Sequence, residues 1–117
     1  MVNGNAKGKR GERELVSFLR EQGFTARRTQ QYCGSSGDAA DVVSADFPNV
    51  HFEVKRTEKL NLHAAVERAC LEANGRLPIV CHKKNRKDWL AVMPLSQLIQ
   101  ILSESTYYYT PPDDGSI

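Results

Sequence analysis

Apolar residues recur at Leu15, Val16 and Leu19, and this spacing of three and four predicts a helix over residues 9–22, with Gly23 placed to stop it. The pattern then shortens. Residues 24–29 are rich in β-formers, Asp41 leads into Val42-Val43, a Pro-Asn turn spans 46–49, and in residues 51–56 polar and apolar positions alternate. In a strand with that alternation His51, Glu53 and Lys55 share one face, while Phe52 and Val54 enter a core. A helical period returns at 61–75, with Asn61 as N-cap, Gly75 as stop and a buried stripe of Leu62, Ala65, Val66, Ala69, Cys70 and Ala73. Residues 77–81 and 89–93 read as two more strands. Residues 94–102, with Leu95, Leu98, Ile99 and Leu102 at helical spacing, read as a last helix expected to cover the sheet. The order is helix, three strands, helix, two strands, helix: an α/β protein.

With 117 residues, 40% of them hydrophobic, the chain supports one core and no second domain. Its net charge of +2 conceals an asymmetry. All sixteen Lys and Arg lie in residues 1–87 against ten acids, and the last thirty residues carry four acids and no base. A basic body fits a polyanionic partner. Cys33, Cys70 and Cys81 are widely spaced and odd in number, which argues against a disulfide framework or a zinc site, and Cys81 is expected in the core. No apolar stretch approaches the roughly 20 residues of a membrane helix and no signal-peptide pattern opens the chain. A cytoplasmic protein is expected, with no membrane partner.

The candidate chemistry lies in the two acid-bearing strands. If these are antiparallel neighbours, Asp41 approaches Glu53, and two carboxylates beside Lys55 suit a hard divalent cation and a phosphate. Asp38 is the weaker choice, because it sits back in a loop where Asp also serves as a turn former. On the first helix Glu12 falls on the apolar stripe, where a carboxylate needs a metal or a lysine as partner, whereas Glu14 falls nearly opposite and reads as a first-turn acid favouring the helix dipole. Arg27 and Arg28 face opposite ways, so at most one points at a phosphate. His82-Lys83-Lys84-Asn85-Arg86-Lys87 sets four bases at one strand-to-strand turn, read here as a phosphate grip. Tyr107, Tyr108 and Tyr109 could stack on bases or pack on a subunit, and nothing in the sequence chooses.

Asp41, eleven residues, then Glu53-Val54-Lys55 resembles the PD-(D/E)XK nuclease motif, with Ala40 at the proline position. Gly8-Lys9-Arg10-Gly11-Glu12-Arg13-Glu14-Leu15 resembles the first helix of archaeal-type Holliday junction resolvases, including the resolvase-like proteins of phages and prophages. The resemblance covers roughly residues 7–102. It implies a restriction-endonuclease-like core, a mixed sheet of about five strands flanked by helices, in a nuclease domain over 8–104 between a flexible 1–7 and a disordered 105–117. It implies a metal-dependent endonuclease that cuts four-way DNA junctions as a homodimer, leaving 5′-phosphate ends. Asp41, Glu53 and the Val54 carbonyl would hold Mg²⁺ or Mn²⁺, Lys55 would act on the attacking water or the transition state, and Glu12 would complete the site through a second metal or a water. Either Ser35 or Ser36 would meet the scissile phosphate. Lys9, Arg10, Arg28, Arg56, Lys83, Lys84, Arg86 and Lys87 would contact DNA. The rival readings are a nicking or repair endonuclease acting on duplex or flap DNA, and a non-catalytic DNA-binding module.

Overall fold

The computed structural model describes residues 4–29 and 40–109. Helix α1 (Gly4–Glu21) begins five residues earlier than its apolar stripe requires and ends as expected. Gly23 takes φ +95°, the Gly23 amide donates to the Arg20 carbonyl and the Phe24 amide to the Leu19 carbonyl, the hydrogen-bond pair of a Schellman stop. The strands are β1 (Arg27–Arg28), β2 (Val42–Val43), β3 (Val50–Arg56), β4 (Leu77–Lys83) and β5 (Leu90–Val92), with α2 (Leu62–Glu72) between β3 and β4 and α3 (Leu95–Ser103) after β5. They form one mixed sheet in the order β1-β2-β3-β4-β5. Only β3 and β4 run parallel, as the crossover through α2 requires.

Two layers of side chains pack on the sheet. Leu15, Val16 and Leu19 of α1 join Val42, Phe52 and Cys81 on one face, and Ala65 and Ala69 of α2 lie on Val80 on the other. Glu53 pairs with Val80, so the face that carries Glu53 is the one α2 covers. This alters the expectation for β3. His51 and Glu53 are buried, because a central strand with a helix on each side has no wet wall.

α2 is capped as read, the Asn61 side chain accepting from the Ala64 amide at 3.2 Å. Its stripe is narrower than expected: Ala65, Ala69 and Ala73 are buried, whereas Leu62 and Cys70 are exposed. Small residues let the helix sit close to the sheet, and that closeness leaves the flanks outside. α3 departs further, since it has no buried residue and leaves Leu95 67% and Ile99 55% exposed. It follows the edge strand β5 and does not cover the sheet.

Candidate active site

Asp41 precedes β2, and the pairing of Val42 with Phe52 places it across from Glu53. Its backbone is fixed on both sides, the Asp41 amide donating to the Phe52 carbonyl and its carbonyl accepting from the Thr29 amide. Its side chain turns toward β3, where Oδ2 accepts the Val54 amide at 2.9 Å. Burial first, and then the charge of Glu53, push the Asp41 carboxyl up from 3.8 to about 6, with Glu12 adding to the rise and Lys55 and the Val54 amide opposing it. Glu12, Glu53 and Lys55 therefore each lie near enough for their charge to act on Asp41. Lys55 Nζ stands 3.8 Å from Glu53 Oε2.

Glu12 does face the sheet, and its partner there is an arginine. Arg28 Nε donates to Glu12 Oε1 at 2.9 Å, so Arg28, expected on DNA, holds the helix acid. Paired with Val42 on the α1 face, Arg28 leaves Arg27, paired with Val43, on the side of Asp41 and exposed. Arg56, also expected on DNA, turns inward. Its side chain is only 7% exposed; Nε donates to Glu14 Oε1 at 3.0 Å and Nη2 to Asn85 Oδ1 at 2.9 Å. Glu14 is thus not a first-turn acid: α1 starts at Gly4, and Glu14 grips Arg56 and Arg10. The approach depends on Gly11, where an added Cβ would lie 2.6 Å from Arg56 Cβ. A buried arginine alternating with Val54 toward α1 cannot be told from a DNA contact by sequence; the glycine facing it is the signal that was available.

Lys84, Arg86 and Lys87 are exposed at the β4–β5 turn, where Arg86 has φ +63°. The turn is anchored, since the Asn85 amide donates to Glu58 Oε2 at 2.7 Å and Asn85 also takes the Arg56 guanidinium. This tip stands at the end of β3 that bears Lys55. Lys83 and Arg10 instead line an open groove with Arg13, Phe18, Asp88 and Trp89 on the α1 face. Lys9 is exposed. Ser35, Ser36, Asp38 and Cys33 lie outside the described residues.

Two further groups reach Glu53. His51 Nε2 lies 3.1 Å from Glu53 Oε1, and Glu72, at the end of α2, brings its carboxylate to the same place. His51 was legible as sharing the face; Glu72, nineteen residues beyond Glu53, arrives only through the crossover.

The donor set suits a small hard cation. Asp41 Oδ2 accepts the Val54 amide, and the register sets Asp41 across from Glu53, so the paired strands offer two carboxylates of the hard oxygen kind that a small dication takes. The Val54 carbonyl belongs to the expected set, although it is the Val54 amide that meets Asp41.

A search of curated proteins finds no match. Among solved structures, the 1.6 Å structure of Archaeoglobus fulgidus Hjc, a Holliday junction resolvase from an archaeal hyperthermophile, is similar, with 28% identity, coverage of 74% of this chain and 75% of that one, and a TM-score of 0.56. The family model described as archaeal Holliday junction resolvase (hjc) matches residues 3–107. That match takes in Glu12 and Glu14 of α1, the five-stranded sheet and the strands that set Asp41 across from Glu53, and the chain belongs to the archaeal Holliday junction resolvase family.

Proposed function

We propose that this protein is a structure-selective DNA endonuclease that resolves Holliday junctions, with Asp41, Glu53 and Lys55 as its catalytic residues. The observation that carries the reading is Asp41 set across from Glu53 on paired strands, with Lys55 beside them, in a chain of the resolvase family. Asp41, Glu53 and the Val54 carbonyl would hold Mg²⁺ or Mn²⁺. A bound dication supplies the charge that acidifies a water and offsets the charge growing on the phosphate oxygens. Lys55, two residues from Glu53 on the same face, orients the attacking water or steadies the transition state by its own charge. Glu12 acts from the side, held by Arg28, its charge felt at Asp41. Release of the 3′ oxygen leaves a 5′ phosphate.

Lys84, Arg86 and Lys87 at the anchored turn, with Arg27 and Lys9, supply the phosphate contacts, so binding is electrostatic and weak in base preference. A homodimer matches the two-fold symmetry of a four-way junction. The exposed apolar side chains Leu90, Leu95 and Ile99 of β5 and α3 give such a dimer its surface.

The test compares cleavage of a four-way junction with cleavage of linear and flap duplexes, in Mg²⁺ and in chelator, for the native chain and Asp41→Asn. Junction-selective, Mg²⁺-dependent nicking lost in the variant is expected. Equal cleavage of linear duplex would reassign the substrate, and cleavage persisting in chelator would remove the metal assignment.

A further inference from the structure

His51 is 1% exposed, the most enclosed large side chain of β3, and the group its ring nitrogen meets is a carboxylate. Glu53 lies two residues on, its Oε1 3.1 Å from His51 Nε2 and its Oε2 toward Lys55. Glu72 comes from the last turn of α2, and one ligand atom from each of His51, Glu53 and Glu72 lies within 4.8 Å of the other two. The Glu72 side chain is the partly exposed member and also takes Arg68 Nε at 2.6 Å, so the cluster has one open side.

Two ligands bound to one ion at about 2.1 Å and roughly 90–110° apart are about 3.0–3.4 Å from each other. The His51–Glu53 separation falls within that span. Glu72, longer in reach and freer to rotate, closes the third position. A cation shared by the three groups would offset the repulsion of two carboxylates drawn together against the sheet. The donor set also differs from that at Asp41. An imidazole nitrogen with two carboxylates suits Mn²⁺, Zn²⁺ or Fe²⁺, whereas Mg²⁺ prefers oxygen and keeps its waters.

We propose that His51, Glu53 and Glu72 hold a divalent transition-metal ion in a site of its own, adjoining the Asp41 pair and sharing Glu53 with it. The inference rests on the reading of Asp41 and Glu53 as a cation site in so far as Glu53 is shared. Occupancy fixes one oxygen of Glu53 and leaves the other to the Asp41 side, and it ties the end of α2 to the start of β3.

The test measures Mn²⁺ retained by the full chain in a large excess of Mg²⁺, from the electron paramagnetic resonance signal of free Mn²⁺. One Mn²⁺ per chain is expected to persist in the native protein and in Asp41→Asn, and to bind at least tenfold more weakly in Glu72→Gln and His51→Gln. If His51→Gln does not fold by circular dichroism, Glu72→Gln at its partly exposed position decides. Failure of the native chain to retain Mn²⁺ against Mg²⁺, or retention undiminished in Glu72→Gln, overturns the proposal. Cleavage in Mg²⁺ without Mn²⁺ retention would sink this site alone; Mn²⁺ retention without any cleavage would sink the nuclease reading alone.

Discussion

Asp41 is a carboxylate that folding renders harder to ionise. Its folded pKa of about 6 exceeds its ordinary 3.8, so the native state holds the proton more tightly. Stability is therefore lost as pH rises between those two values, and the loss is complete above about 6. Asp41→Asn removes it: the variant should match the native protein near pH 4 and exceed it by on the order of 2–3 kcal/mol at pH 7–8, measured by denaturant unfolding in chelator. A cation competes with the same proton, so the Mg²⁺ needed for half-maximal cleavage should rise about tenfold per pH unit below 6. Cys81 is shifted in the same direction. Burial, then the charges of Asp41 and Glu53, push its thiol up to about 12, whereas Cys70 is exposed. Alkylation of the native protein followed by peptide mass mapping should find Cys70 modified and Cys81 untouched until denaturant is added.

Elements are held to one another by a few close approaches. α1 meets β3 at Gly11, and Gly11→Ala would gain about 1 kcal/mol of helix propensity yet force its Cβ against Arg56 and Val54. Overpacking of this kind costs about 1–3 kcal/mol, so a net fall in stability on urea unfolding is expected. The same contact buries Arg56 against Glu14, and Glu14→Gln should destabilise by roughly 1–3 kcal/mol, because a guanidinium taken from water loses its nearest carboxylate. At α2, Asn61→Ala removes a cap seen in both sequence and structure and should cost about 1 kcal/mol. Asn61 was legible because capping depends on neighbours three residues away. The strut from Glu14 to Arg56 spans forty-two positions and was not.

For the whole molecule, exposure at β5 and α3 predicts self-association. Ile99→Asp should shift the sedimentation coefficient from dimer to monomer and reduce paired cuts across a junction more than single nicks. Raising salt from about 50 to 200 mM should weaken junction binding by orders of magnitude if several phosphates are contacted. Local periodicity and turn residues were enough to determine the element order, the stops at Gly23 and Gly75, and the alternation that sets Glu53 and Lys55 on one face. Those depend on residues a few positions apart, whose geometry is set by bond angles and local sterics. Packing alone settled that α2 closes over that face and buries His51, that Arg28 and Arg56 turn inward to Glu12 and Glu14, and that α3 stays off the sheet. A charged side chain at a strand position carries no mark of whether solvent or another helix will face it, because that depends on chain segments brought near only by folding.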